Sequence, residues 1–440
     1  MKFKKVVVIG GTGDFGSWYA GFFRDLGSSV VITSRNEEFG RKKALDLGVG
    51  FSPSLKGALH GADLVVVCVP FGVVESVLKE VIGLAEEGAL VVDFASVKGR
   101  VVRVLQSFSK EGLELASVHP MHGPRVSSVV SKPVVFVPVK AGDKYESLKE
   151  LFSSQGARVV ECSAKEHDEM LSVVQGLTHF AHIASARALV ELNVDLKKSR
   201  EFSSPVYELF LSTMARVVLQ NPSLYANIQV ENPQNERVRE VFAKQVELLR
   251  GIATDGDKRG LERAISQCAC AFKSSESVLF AGDKAVSALN AEVGQLKGLV
   301  GRQVALENIH NQKVHYGVVE KVEADKVVLL ENSKRVSIKL SNTALLTHGQ
   351  YERWREQNVK TKKRDYSIVV PRECDSNVLK SVFKQSAVKT VLVVDEYDGL
   401  QLEQGKKSVT LGFEVFEDED LNGFDDGLKK IVRGLGFSLR

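Results

Sequence analysis

Val6-Val7-Val8-Ile9-Gly10-Gly11-Thr12-Gly13-Asp14-Phe15-Gly16 is the stretch from which the fold of this 440-residue chain can be read. Four β-branched residues in succession suit a parallel strand covered on both faces. A helical pattern over residues 17–26 begins where the glycines stop. Gly11, Gly13 and Gly16 fall at the G-x-G-x-x-G spacing, with Thr12, Asp14 and Phe15 between them. Alone that spacing is weak, but directly after a first strand and at the opening of a helix it is a dinucleotide fingerprint. Gly11 permits the tight turn, Gly13 lets the backbone approach a pyrophosphate, and Gly16 lets the helix pack on the strand. The helix N-terminus then faces two phosphates. A glycine turn without a ligand is the competing reading, and the strand–turn–helix context weighs against it.

Outward from this turn, β-branched runs at residues 6–9, 30–33, 64–69, 90–94, 115–118 and 134–138 alternate with helical patterns. That rhythm indicates βαβ units and a mostly parallel sheet, giving a Rossmann-type domain over residues 1–162. Strand signals vanish over residues 163–297, where helical segments break at Ser203-Ser204-Pro205, Asn221-Pro222 and Asn232-Pro233. This is an all-helical domain. Residues 298–358 return to short strands (304–306, 316–319, 327–330 and 336–340), as in a small barrel-like β module closed by a charged helix near 351–357. Lys360-Thr361-Lys362-Lys363-Arg364 then reads as a solvated basic tether. Residues 364–440 run strand, helix, strand, strand, helix, strand (strands 367–370, 390–394, 408–416 and 437–439; helices 378–385 and 425–435). That order is ferredoxin-like α+β. The class is α/β with these additions.

The second strand ends in Thr33-Ser34-Arg35-Asn36. An NAD enzyme usually offers a carboxylate there to the adenosine ribose. A hydroxyl on Ser34 followed by the Arg35 guanidinium suits a 2′-phosphate instead. NADP is therefore the expected cofactor, with NAD as the alternative.

A net charge of +4 is small for this length and argues for neither nucleic acid nor membrane. No apolar run is long enough to span a bilayer, and the opening Met1-Lys2-Phe3-Lys4-Lys5 is too short for a signal peptide. A cytoplasmic enzyme is expected. The five cysteines lack paired CxxC spacing, so inert thiols and no metal site are expected.

Two further stretches carry candidate chemistry: Val92-Asp93-Phe94-Ala95-Ser96-Val97-Lys98 and Ser117-Val118-His119-Pro120-Met121-His122-Gly123-Pro124. They place Ser96, Lys98 and His119 just past the ends of successive strands, where open parallel sheets hold their chemistry. Imidazole suits a base that must be neutral at physiological pH and accept a proton during an oxidation. A satisfied strand-end histidine is the bland alternative. In the helical domain Ser172, Gln175 and His179 fall at i, i+3 and i+7, one helix face.

Taken in order, the glycine fingerprint, Val69-Pro70 at the fourth-strand turn, Asp93 to Lys98 and His119 to Pro124 resemble prephenate dehydrogenase. The resemblance continues through Glu166-His167-Asp168, Gln175-Gly176-Leu177-Thr178-His179-Phe180, Ser203-Ser204-Pro205-Val206-Tyr207, Arg216 and Asn221 to Ile228, covering roughly the first two-thirds of the chain. It implies oxidative decarboxylation of prephenate to 4-hydroxyphenylpyruvate in tyrosine biosynthesis, or of arogenate, which has an amine in place of the keto group. It implies His119 as the catalytic histidine and Ser96 as a bridge from it to the cofactor. His179, Gln175 and His167 correspond to the substrate pocket, and Arg216 to the arginine that binds a substrate carboxylate. Val69 and Pro70 belong to the cofactor site. Lys98 either adds positive potential for the dianionic substrate or is a solvated lysine. His122 departs from the family pattern, which carries an apolar or small residue there; contact with substrate or cofactor and a place at the cleft rim both stay open. The family's intertwined helical domains imply a homodimer, consistent with the apolar faces of helices at 238–249 and 261–272.

Arg364-Asp365-Tyr366-Ser367-Ile368-Val369-Val370-Pro371, Val394 to Gly399 and Gly405 to Leu411 resemble the ferredoxin-fold anticodon-binding domain of the phenylalanyl-tRNA synthetase β chain. The acidic run Glu417-Asp418-Glu419-Asp420 would repel phosphates. End-product binding or assembly is therefore favoured over RNA for this region. From another functional class, the chain could be a tRNA- or amino-acid-binding regulator on a degenerate dehydrogenase scaffold, against which stand the intact glycines with Ser96, His119, His179 and Arg216.

Overall fold

Strand β1 (Lys5–Ile9) is buried from Val6 onward. Val6 and Val8 enter one apolar layer with Tyr19, Phe23 and Phe152, while Val7 and Ile9 enter the opposite layer with Leu78, Val81 and Leu105. A strand covered on both sides must be apolar at successive positions, not alternate ones. The computed structural model describes residues 3–108, 110–272, 276–309, 311–323, 326–383 and 388–440. Met1 and Lys2, and Lys384 and Gln385 at the end of the helix expected over 378–385, lie outside the described residues.

The chain forms two units, Met1–Phe280 and Ala281–Arg440. In the first, β1 joins β2 (Ser29–Thr33), β3 (Gly50–Ser52), β4 (Leu64–Val67), β5 (Leu90–Asp93), β6 (Glu114–Pro120), β7 (Pro133–Lys140) and β8 (Arg158–Glu161) in the order β3-β2-β1-β4-β5-β6-β7-β8. Only the β6–β7 pairing is antiparallel. The short β3 and β8, half-exposed or exposed along their length, gave no strand signal in the sequence. Helices α1 (Asp14–Asp25), α2 (Glu37–Leu47) and α6 (Asp143–Ser154) cover one face. The other is covered by α3 (Leu55–Leu59), α4 (Phe71–Leu84) and α5 (Gly99–Ser107). The chain turns outward in opposite directions from β1 and β4, so a ligand crevice opens at their carboxyl ends.

The helical part comprises α7 (Ala164–Leu171), a π-helical segment Ser172–Leu177, α8 (Thr178–Glu191), α9 (Leu196–Glu201), α10 (Pro205–Val218), α11 (Pro222–Glu231), α12 (Asn235–Thr254), α13 (Lys258–Phe272) and α14 (Glu276–Gly298). Ser204 accepts from the Tyr207 N–H and Asn221 from the Ser223 N–H, each followed by proline in the first turn. The π segment corrects the expectation of one regular α face for Ser172, Gln175 and His179, because its i→i+5 bonds break the register between them. It is held from outside. Gln229 Nε2 donates to the Gly176 carbonyl at 2.9 Å, and a Cβ at Gly176 would meet Asn235 Oδ1 at 2.2 Å.

In the second unit, β9 (Gln303–Asn308), β10 (Val314–Val322), β11 (Lys326–Glu331), β12 (Lys334–Lys339) and β13 (Thr343–Leu345) form an antiparallel sheet, followed by α15 (His348–Asn358). Then β14 (Thr361–Pro371), α16 (Ser376–Val382), β15 (Val388–Tyr397), β16 (Lys406–Phe416), α17 (Leu421–Gly434) and β17 (Ser438–Leu439) build a sheet ordered β15-β16-β14-β17, the ferredoxin-like arrangement. One expectation is corrected here. The basic segment is no tether: Thr361 to Arg364 pair with Phe416 to Phe413 as the start of β14. The acidic run is in addition a structural joint, with Glu417 and Asp420 still exposed. Asp418 and Glu419 receive the Arg355 guanidinium at 2.7 and 2.6 Å, and Asp420 caps α17.

Candidate active site

The β1–α1 turn is shaped for a phosphate-bearing ligand. Gly10, not Gly11, carries its left-handed backbone (φ 80°), and a Cβ there would lie 2.3 Å from the Cys68 carbonyl oxygen. Gly11 is required for another reason, since its Cβ would strike Ile32. Gly16 sits so close to the Gly10 carbonyl that only glycine fits, which brings α1 onto β1. Gly13 is exposed, and no side chain caps the α1 N-terminus. A bare helix N-terminus beside an accessible glycine backbone fits a pyrophosphate. Thr12 and Phe15 are half-buried and Asp14 is exposed. Val69 packs against the turn at Gly10, and Pro70 caps α4.

Past β2, Asn36 is committed to capping α2 through the Phe39 N–H, and Arg41 is paired with Glu37. Ser34, half-buried, and Arg35, exposed, remain at the crevice rim. Among the described residues no carboxylate pairs with Arg35.

His119 lies on β6 opposite Val135 of β7, not beyond the strand, because the antiparallel pairing extends to Pro120. Its ring is 4% exposed. Nδ1 is 3.0 Å from His167 Nε2, and His167 Nδ1 is 2.8 Å from Asp168 Oδ1. Asp168 also accepts from the Lys98 N–H at 2.9 Å and the Gly99 N–H at 2.8 Å. Burial raises the Asp168 carboxyl, but the hydrogen bonds from His167, Lys98 and Gly99 outweigh it and hold the group below its ordinary range. A carboxylate can only accept, so His167 Nδ1 carries the proton. Burial lowers His167 despite Asp168, leaving a neutral ring whose Nε2 is a lone pair. His119 must then donate from Nδ1. Burial first, then Lys98, His167 and His122, lowers His119 well below the usual histidine range. Its Nε2 is therefore an unprotonated acceptor, with no partner among the described residues.

Lys98, for which added positive potential or a place in solvent was expected, is not solvated. Its side chain is 0% exposed, with Nζ 3.3 Å from Asp93 Oδ1 and 2.9 Å from the Val118 carbonyl. A fully buried ammonium without such partners would cost several kcal/mol. Ser96 is half-buried in the turn after β5, and no hydrogen bond joins it to His119. His122 also finds its place. Tyr19 Oη, buried, lies 2.9 Å from its Nε2, its Nδ1 is 3.1 Å from the Gly123 carbonyl, and its ring packs against Phe15, Trp18 and Tyr19. It joins the loop after β6 to α1.

Across the helical part, Gln175 Oε1 and His179 Nδ1 are buried without hydrogen-bond partners among the described residues. Burial, with His182 nearby, pushes His179 down to about 4, so it is neutral at physiological pH. Orphaned buried polar atoms are costly unless a ligand meets them. The His179 ring packs edge-on against Tyr225 at 4.8 Å, and Tyr225 Oη donates to the Arg216 carbonyl at 3.4 Å. Arg216 is exposed and has no carboxylate partner among the described residues. Gly10, Tyr225 and the bond from His167 to Asp168 escaped the sequence reading; an adjacent His–Asp pair was the only local signal for the last. The described residues contain no group of His, Cys, Asp and Glu able to hold a metal, and no helix among them is long and apolar enough to cross a membrane.

Residues 19–161 match the prephenate dehydrogenase nucleotide-binding domain and residues 163–267 the prephenate dehydrogenase dimerization domain. A Methanocaldococcus jannaschii protein named "Probable arogenate/prephenate dehydrogenase" is 32% identical over 435 residues, 98% of this chain and 97% of the relative. The likeness thus runs through both C-terminal sheets. The 4-amino-4-deoxyprephenate dehydrogenase of Streptomyces pristinaespiralis is 30% identical over 58% of this chain and 87% of its own. The crystal structure of Aquifex aeolicus prephenate dehydrogenase with hydroxyphenyl propionate and NAD+ shares the fold, with a TM-score of 0.52 and 23% identity over 62% of this chain and 98% of that one.

Proposed function

Since this chain belongs to the prephenate dehydrogenase family, we propose that it catalyses the oxidative decarboxylation of prephenate to 4-hydroxyphenylpyruvate, for tyrosine biosynthesis, with NADP as the preferred hydride acceptor. The observation that carries this reading is the His119–His167–Asp168 chain, which presents a bare imidazole nitrogen at the sheet edge that also holds the glycine turn. A bound nicotinamide supplies the acceptor for the hydride. The protein's part is to take the hydroxyl proton, hold the ring and exclude water.

His119 Nε2 accepts the proton from the ring hydroxyl as the hydride leaves that carbon. The ring carboxylate departs as CO2, its bonding electrons completing the aromatic ring, and the His119 imidazolium returns the proton to the phenolate oxygen to give 4-hydroxyphenylpyruvate. The transient imidazolium stands beside Asp93, Lys98 and Asp168, which together carry a net formal charge of −1. His119 Nδ1–H can pass its proton to His167 Nε2, placing the cation against Asp168. Gln175 and His179 meet the polar side chain of the substrate, and Arg216 binds a substrate carboxylate. Ser96, in the turn after β5, is the residue assigned to bridge His119 and the bound cofactor. Arogenate is the second reading, supported by the paired name of the M. jannaschii relative. Kinetics with both substrates distinguish the two: a kcat/KM at least tenfold higher for prephenate is expected, and the reverse preference would overturn the substrate assignment.

Ser34 and Arg35 support the cofactor preference, because the end of β2, Thr33 to Asn36, carries a hydroxyl and a guanidinium and no carboxylate. Arg35→Ala is expected to lower kcat/KM for NADP by roughly tenfold, the scale of one charge-assisted contact, with little change for NAD. A parent enzyme that prefers NAD, with a ratio unmoved in Arg35→Ala, would remove this assignment.

The helical domain supports a homodimer. No residue of α8 is buried, only Asn235 is buried along α12, and Val241, Val246 and Leu248 on α12 are exposed. Exposed apolar surface on this scale marks an interface.

A further inference from the structure

Lys98 remains without a part in the proposed chemistry, although it is buried beside the base. Its ammonium spans two strand ends, holding Asp93 at the end of β5 and the carbonyl of Val118, the residue before His119. Its main-chain N–H, with that of Gly99, holds Asp168, which orients His167. One residue thus touches both ends of the imidazole pair, through its side chain at the His119 end and its backbone at the Asp168 end.

We infer that Lys98 is a positioning residue for His119, fixing the base and the carboxylate behind its partner in one arrangement and setting the charge beneath them. This rests on His119 being the base. The charged and titratable groups facing the pair are Lys98 and Asp93 from the β5 side, His167 and Asp168 from α7, Cys162 before α7 and His122 from the loop after β6. Lys98 is the cation among them closest to the backbone of the base, and its presence lowers His119. The sign follows: without this cation, the protonated imidazole is less disfavoured and His119 titrates at higher pH. The cofactor turn at Gly10 to Gly16 lies on other strands and has no contact with Lys98, so cofactor affinity has no reason to change.

The test uses the full-length enzyme and three variants, Lys98→Met, Lys98→Met/Asp93→Asn and His119→Asn. Met matches the unbranched lysine stem without the charge, and the double variant avoids a buried, unpaired Asp93. Nuclear magnetic resonance titration of the histidines, with the His119 signal identified by its loss in His119→Asn, is paired with the pH profile of kcat. In Lys98→Met the His119 midpoint and the acid limb of kcat are both expected to rise by about one pH unit, the lower range for a neighbouring charge, and in the double variant, which loses the Asp93 charge as well, by less. Cofactor Kd should stay within about twofold and kcat at the plateau should fall about tenfold or more. An unmoved His119 midpoint overturns the inference, whatever happens to kcat. A midpoint that moves while the acid limb does not instead overturns the assignment of His119 as base. Failure of both Lys98 variants to fold would make Lys98 a folding residue and overturn the inference as well.

Discussion

Replacing His119 by Asn is expected to lower kcat about 1,000-fold, within the range for loss of a positioned general base, or about 4 kcal/mol of transition-state stabilisation. Asn is the informative substitution because its amide N–H can still donate towards His167 Nε2, as His119 Nδ1 does at 3.0 Å. The shorter asparagine side chain has no atom at the place of Nε2, so nothing is left there to take a proton. KM and cofactor Kd should therefore change by less than about threefold, since the glycine turn and the helical pocket are untouched. Arg216→Ala serves as the contrast: loss of a carboxylate-binding guanidinium should appear mainly in KM. Steady-state kinetics of the two variants side by side check the division of labour. A kcat for His119→Asn within tenfold of the parent would remove His119 from the chemistry.

Asp168→Asn is expected to lower kcat by roughly 100-fold or more, although Asp168 need not touch the substrate. Its carboxylate accepts from three donors, His167 Nδ1, Lys98 N–H and Gly99 N–H. An asparagine has one acceptor oxygen and must turn its NH2 towards one of these donors. If it faces His167, that ring must expose the Nδ1 lone pair and place its proton on Nε2. His119 Nδ1 then becomes an acceptor and His119 Nε2 carries the proton, which removes the base. If it takes the place of Oδ2 instead, it faces the Gly99 N–H, which loses its partner at a cost of about 1–3 kcal/mol, and thermal unfolding should show it. An Asp168→Asn enzyme with kcat within threefold of the parent would show that the tautomer of His119 is set elsewhere.

Local pattern made much of this protein legible. The apolar run Val6 to Ile9, the glycines after it and the spaced β-branched segments give the sheet because burial on two faces leaves a mark at every residue. Pro205 and Pro222 mark helix starts through backbone chemistry that reads directly from sequence. What stayed hidden depends on distant partners. His119 and His167 are 48 residues apart, and neither sequence neighbourhood announces that their rings meet. Lys98 resembles any surface lysine until β6 supplies the Val118 carbonyl. The π segment is set by Gln229 and Asn235, more than fifty residues downstream of Gly176. The basic residues after Lys360 read as a tether because nothing local shows that β16 will pair with them.

The central claim is that this chain removes hydride and CO2 from one ring in one event, with His119 taking the proton. Measuring reduced nicotinamide and released CO2 together, with the purified full-length enzyme and carboxyl-labelled prephenate or arogenate, tests it most directly. Equal amounts of the two products, formed at rates that fall together in His119→Asn, are expected. Absence of cofactor reduction with either substrate, or reduction without CO2, would contradict the account.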